Sequence, residues 1–199
     1  MNGRFIAAGL GLLLAAGGAL AADLKRAEEI VGGRCFICHG MEGEAASALY
    51  PRLASQHADY IARQLADFKS GKRKSETMAG MAADLTPEEM KALGEFFQKK
   101  PATHSQSADP DLSGVGRYIF TKGNQYSGVA ACVSCHGPKG YGTPQLPRLA
   151  GQQALYIENQ LKQFNTRERN NDNAVMHSIA SKLSELEVKA VASFISTLE

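Results

Sequence analysis

Four cysteines stand in two matching frames, Cys35-Phe-Ile-Cys38-His39 and Cys132-Val-Ser-Cys135-His136, each followed by a glycine. Cys-x-x-Cys-His is the attachment signature of a c-type haem. Its two thiols form thioethers with the vinyl groups, and the adjacent imidazole reaches the iron. Three other chemistries use paired cysteines. A zinc ribbon takes two Cys-x-x-Cys pairs but has no use for a histidine directly after each. A thioredoxin-like redox pair belongs in a strand-helix-strand setting, which this chain lacks. Disulfides, which an exported protein can form, would leave both histidines without a role. One covalent haem c on each frame, two in all, uses every cysteine and both histidines.

The frames sit inside a longer repeat. Pro51-Arg52-Leu53-Ala54 returns as Pro147-Arg148-Leu149-Ala150. Tyr60-Ile61, Gln64, Leu65 and Phe68 return as Tyr156-Ile157, Gln160, Leu161 and Phe164. Met78-x-x-Met81-Ala82-x-x-Leu85 lines up with Met176-x-x-Ile179-Ala180-x-x-Leu183. Such internal symmetry marks a tandem duplication. Between the units, residues 101–112 are polar and carry Pro101 and Pro110, the composition of a linker. The expected organisation is an export signal over 1–21, an N-terminal domain over 22–100, a linker over 101–112 and a C-terminal domain over 113–199.

The second axial position of each iron decides its chemistry, since a protein ligand there suits electron transfer and an empty position admits small molecules. Met78 and Met176 hold matching places in the repeat, each about 40 residues beyond its histidine. A lone methionine usually fills a core gap; two at equivalent positions point to ligation. Met81 competes in the first half, but its counterpart Ile179 cannot bind iron. His177 competes in the second half, where its counterpart is Ala79. The repeat therefore favours His39/Met78 and His136/Met176, a ligand set that raises reduction potential.

The elements that must hold these groups are helical throughout. Tyr60, Ile61, Gln64, Leu65 and Phe68 fall on one helical face, and Gly71 can end that helix. Thr86 reads as an N-cap with Pro87 at the first helical position, Glu89 completing a capping box and Leu85 stapling to Met90. Ser184, Glu187, Leu183 and Val188 repeat those roles without the proline. Each half also opens with a short helix that sets a small residue one turn before a larger one. Ala27 and Val31 do so in the first half, Gly116 and Phe120 in the second. These pairs suit a close crossing against Leu93, Phe96 and Phe97, or against Val191, Phe194 and Ile195. An all-α, two-domain protein is expected. At about 80 residues, each domain is near the lower limit for a self-sufficient core, so a covalent staple is in keeping.

Composition narrows the role. The 199 residues are 44% hydrophobic and 21% charged with a formal net charge of +2, so neither disorder nor a basic field for nucleic acid is indicated. Arg4 followed by the apolar run Phe5 to Leu20 and the small-x-small segment Ala19-Leu20-Ala21 reads as an export signal cleaved after Ala21. The run is about 16 residues against the roughly 20 that a membrane span needs. The expected location is the periplasm.

Taken together, the two Cys-x-x-Cys-His-Gly frames, the Pro-Arg-Leu-Ala segments with their Tyr-Ile-x-x-Gln-Leu-x-x-Phe helices, and the methionine segments resemble the di-haem cytochrome c4 family over the whole mature chain. The resemblance implies two tandem mono-haem cytochrome c folds, each His/Met ligated. It also implies electron delivery from a quinol-oxidising complex towards a terminal oxidase, with peripheral membrane association allowed and no bond chemistry of its own. In such a protein the Pro51 and Pro147 carbonyls hold the second ring nitrogen of His39 and His136, and Arg52 and Arg148 meet haem propionates. One alternative shares the layout, the di-haem subunit of a flavin-dependent sulfide dehydrogenase; an enzymatic one is a di-haem peroxidase, which needs an iron that peroxide can reach and has the paired Met78 and Met176 against it. Asn124 to Val129 departs from the repeat as an insertion before the second frame. His57 and His104 lack repeat counterparts and carry no expected role, and Lys72-Arg73-Lys74 reads as a solvated charge run.

Overall fold

The computed structural model describes residues 23–105 and 109–199. The export segment over 1–21 lies outside the described residues. Helix α1 runs over residues 23–39: an α-helical stretch over 23–30, a π-helical turn Val31–Cys35, and a last turn Phe36–His39. It is followed by α2 (Ala58–Lys69), α3 (Glu76–Ala82) and α4 (Pro87–Gln98). The second half contains α5 (Pro110–Lys122), α6 (Val133–His136), α7 (Ala154–Thr166), α8 (Val175–Ala180) and α9 (Glu185–Ser196). Helix α5 thus begins at Pro110, inside the segment 101–112 that reads as linker. Among the described residues the only β pairing is one isolated bridge, Asn124 with Val129.

Each half closes on its own core. Ala27, Val31, Ile61, Phe68, Leu93 and Phe97 belong to the first, and Phe120, Ile157, Phe164, Val191 and Ile195 to the second. The closing helices α4 and α9 start as the capping chemistry dictates. Thr86 Oγ1 accepts from the Glu89 N–H at 3.2 Å while Glu89 accepts from the Thr86 N–H at 3.0 Å. Ser184 and Glu187 repeat the exchange at 3.3 and 2.8 Å. Each capping glutamate also reaches outward: Glu89 takes the Arg26 Nε at 2.8 Å, and Glu187 takes the Asn124 amide at 2.7 Å. Each acid therefore caps one helix and ties it to a segment N-terminal to its domain's Cys-x-x-Cys-His turn.

The close crossing expected of Gly116 is present. A Cβ placed there would stand 2.0 Å from the Ala190 carbonyl oxygen and 2.8 Å from Phe194 Cβ, so α5 and α9 pack backbone to backbone. We expect Gly116→Ala to lower stability by about 1–3 kcal/mol or somewhat more, the range for overpacking a tight contact. Thermal unfolding followed by circular dichroism measures it; an unchanged melting temperature would show that the crossing tolerates a methyl group.

The two halves reach their Cys-x-x-Cys-His turns differently. Val31 precedes Cys35 by four residues and α1 continues into the turn, whereas Phe120 precedes Cys132 by twelve. Six of the eight extra residues are the Asn124 to Val129 insertion. It closes on itself through two backbone hydrogen bonds of 2.9 Å between those end residues. Both turns stop at a glycine with positive φ, Gly40 at 77° and Gly137 at 78°, where a side chain would be strained.

Two candidate haem sites and the seam between them

His39 and His136 close the turns and are buried, each about 8% exposed. The His39 Nδ1–H donates to the Pro51 carbonyl at 3.0 Å and the His136 Nδ1–H to the Pro147 carbonyl at 3.1 Å. A carbonyl can only accept, so the proton sits on Nδ1 and Nε2 keeps a free lone pair. Burial lowers the pKa of both imidazoles, against a smaller opposing pull from the proline carbonyls. Each ring is therefore a neutral, fixed-tautomer donor of the kind a metal requires.

Cys35 and Cys132 lie against the two cores. Burial raises the Cys35 thiol and pushes the Cys132 thiol up to about 11. Reactive thiolates of a redox pair have the opposite shift. Cys38 is half-buried, Cys135 is exposed, and none of the four is in a disulfide. The two pairs lie in different domains. Among the described residues no group of three or more His, Cys, Asp and Glu gathers as a metal cluster would require.

Met78 and Met176 each pack, half-buried, against the same core as the first cysteine of their domain. They are held there by different means. The Ser75 hydroxyl caps α3 and accepts from the Met78 N–H at 3.3 Å. In the second half the Asp172 carboxylate takes the N–H groups of Ala174, at 3.2 Å, and Met176. Asn173 and Ala174 have positive φ of 56° and 66°, a conformation uncommon outside glycine. Two residues have been inserted here, since Arg169 follows Arg73 by 96 positions and Met176 follows Met78 by 98. His177, the rival ligand, has its Nδ1–H on the Phe164 carbonyl at 3.0 Å. Met81, the other rival, is 41% exposed.

The domains meet along a seam with approximate two-fold symmetry. Arg52 and Arg148 lie on it, and the Arg52 guanidinium donates to the Gly151 carbonyl of the other half. Among the described residues, the Nε atoms of these two arginines are the only buried side-chain polar atoms without a partner. Burial without a facing carboxylate lowers the Arg52 pKa. Two orphaned guanidinium N–H groups, each on the residue directly after the proline that tethers a histidine, are what the acid groups of a haem would satisfy, so the residues present fit that cofactor.

Arg73 overturns its reading as part of a solvated run, for it is only 7% exposed. It donates to Gln64 at 2.7 Å, and across the seam to Tyr156 at 2.9 Å and Gln160 at 2.8 Å. Arg169 mirrors it, donating to Gln160 at 2.8 Å, Tyr60 at 2.9 Å and Gln64 at 3.2 Å. Burial alone would raise the Tyr156 phenol, but the two guanidiniums hold it below its ordinary value. The seam also uses His57, whose Nε2 donates to the Tyr141 carbonyl at 2.7 Å. A signal for the arginine pair was available in the repeat, because Arg73 and Arg169 share the 96-residue spacing of the tyrosines and glutamines they bind. His57 has no such signal. His104, for which no role is expected, stands 3.4 Å from the Glu199 carboxylate.

Two helical domains of this construction define a c-type cytochrome built twice. A "Cytochrome c" family model matches residues 120–199, and one described as "Cytochrome C oxidase, cbb3-type, subunit III" matches residues 22–97. Cytochrome c4 of Thiocapsa roseopersicina is 38% identical over 88% of this chain and 93% of its own length. A thiosulfate dehydrogenase electron acceptor of Stutzerimonas stutzeri is 38% identical over 80% of this chain and 76% of its own. The solved structure of reduced recombinant cytochrome c4 from Pseudomonas stutzeri superposes with a TM-score of 0.82 at 31% identity, covering 88% of this chain and 98% of that one. The chain belongs to the cytochrome c4 family. It is a di-haem electron carrier with one covalently bound haem c in each domain, not an enzyme, and the peroxidase alternative falls with that assignment.

Proposed function

We propose that the protein carries electrons in the periplasm, from a quinol-oxidising complex of the cytochrome c reductase type to a terminal oxidase. Each haem, when bound, takes up and gives back one electron at its iron. The chain's own residues do the rest. Cys35, Cys38, Cys132 and Cys135 hold the porphyrins through thioethers. His39 and Met78 ligate the first iron, His136 and Met176 the second, and Arg52 and Arg148 neutralise the propionates. The observation that carries this reading is the duplicated imidazole, twice buried, twice neutral and twice tethered through Nδ1, which presents a ready ligand in each domain. Relatives named as electron acceptors of thiosulfate dehydrogenase favour one further donor, a thiosulfate-oxidising enzyme. Export follows from the apolar segment before residue 22, and cleavage leaves a mature chain in which no described helix is long and apolar enough to cross a membrane.

The first test is stoichiometric. Denatured holoprotein should show two haems that stay on the chain in acidified organic solvent and no thiol that reacts. One haem per chain, or one free thiol, would defeat the assignment. The route is tested by adding catalytic amounts of the protein to membranes that contain the oxidase and are supplied with quinol. Oxygen uptake should rise with the carrier and stop when the quinol-oxidising complex is inhibited; uptake that persists with thiosulfate as donor identifies the second route.

A further inference from the structure

Across the seam, each domain reaches the peptide that tethers the other domain's histidine. Gln152 Oε1 accepts from the Arg52 N–H at 2.8 Å, and Gln152 Nε2 donates to the Arg52 carbonyl at 2.9 Å. Gln56 does the same in return, accepting from the Arg148 N–H at 2.8 Å and donating to the Arg148 carbonyl at 2.9 Å. The amide orientations follow from these partners, since an N–H must meet oxygen and a carbonyl must meet nitrogen. Both glutamines are buried, 6% and 7% exposed, so loss of the side chain would leave seam groups short of a partner.

The consequence lies in which peptide is held. The carbonyl of the Pro51–Arg52 peptide takes the His39 Nδ1–H, and the N–H of that same peptide goes to Gln152. The Pro147–Arg148 peptide is engaged identically by His136 and Gln56. Hydrogen bonds in series polarise one another, so an amide that donates its N–H carries more negative charge on its oxygen. A stronger acceptor at Nδ1 makes the imidazole a better donor to iron, and a better donor favours the ferric state.

We propose that Gln152 and Gln56 are positioning residues that set the donor strength of the opposite domain's axial histidine, so that each haem's potential is held down partly from the other domain. The proposal rests on His39 and His136 being axial ligands. It predicts a crossed pattern and an unusual sign. In the full-length holoprotein, Gln152→Leu should raise the potential of the N-terminal haem and leave the C-terminal haem nearly unmoved; Gln56→Leu should do the reverse. The expected shift equals about a threefold change in the reduced-to-oxidised ratio, less than the tenfold or more that loss of a direct histidine partner costs. A merely loosened seam would admit water, favour the more highly charged ferric state and lower the potential instead.

The experiment is a redox titration in which proton NMR follows the shifted haem methyl signals of each domain separately. The wild-type spectrum is read first for imidazole and methionine ligand signals. Their absence defeats the ligand assignment, while their presence with potentials unmoved in the variants defeats only the coupling. Gln152→Asn, one methylene too short to span the seam but equally polar, should shift the same haem in the same direction. A shift of the variant's own domain, an equal shift of both haems, or a downward shift overturns the proposal. So does failure of both Gln152 variants to mature, which would make the residue structural.

Discussion

In Met176→Ala the potential of the C-terminal haem should fall by on the order of 0.1 V or more, a part of the roughly 0.8 V range over which axial ligands set potentials. A thioether stabilises the ferrous state, and its loss removes that preference. The weak far-red sulfur-to-iron band of the ferric protein should lose this haem's share, and carbon monoxide should bind the reduced iron. The neighbouring imidazole is the one complication. His177 is held by its Nδ1–H on the Phe164 carbonyl at 3.0 Å. That bond costs about 1 kcal/mol to give up, and with it in place His177 stays anchored to α7. The double variant Met176→Ala, His177→Ala removes the alternative altogether and should bind carbon monoxide at least as well. A single variant that keeps the full band and excludes carbon monoxide would reduce Met176 to a core residue.

Cys35→Ser combined with Cys38→Ser should leave the first domain unfolded. The buried core of that domain is Ile30, Val31, Ile61, Phe68, Leu85, Met90, Leu93 and Phe97 with three alanines, and Cys35, Leu53, Leu65 and Met78 are only half-buried around it. A porphyrin held by Cys35 and Cys38 would add its own apolar area to that core, and domains of about 80 residues have only a few kcal/mol to lose. The second domain should keep its haem and its helices but melt at a lower temperature, since Arg169, Gln152 and Tyr156 would lose their partners across the seam. Haem content, helix content by circular dichroism and the number of melting transitions measure this together. A haem-free first domain with native helix content and a cooperative melt would contradict it.

Much of the site was legible because its chemistry is local in sequence. A Cys-x-x-Cys-His turn is five residues long, a capping box is four, and a helix face repeats every three or four positions. The structure returns each of these where the pattern puts it. Tyr60 to Phe68 lies on α2, Thr86 with Glu89 caps α4, and Gly116 lies at the crossing with Ala190. The duplication added a second reading of every position, which singled out Met78 and Met176 over Met81 and His177.

By itself, then, the sequence determined the number of domains, their helical character and the two haem-bearing turns, because each depends on residues within one or two helical turns of one another. The seam was decided only by the tertiary structure. Arg73 stands between two lysines and reads as solvated, yet it is buried against Tyr156 and Gln160 of the other domain. Gln56 and Gln152 share the 96-residue spacing of the repeat, but the repeat does not say that they are buried or what they face, and His57 has no histidine counterpart at all. A polar side chain is buried when a distant part of the chain offers the matching acceptor, and a polar group taken from water without one is costly. That matching belongs to the docking of two folded domains, which no local spacing records.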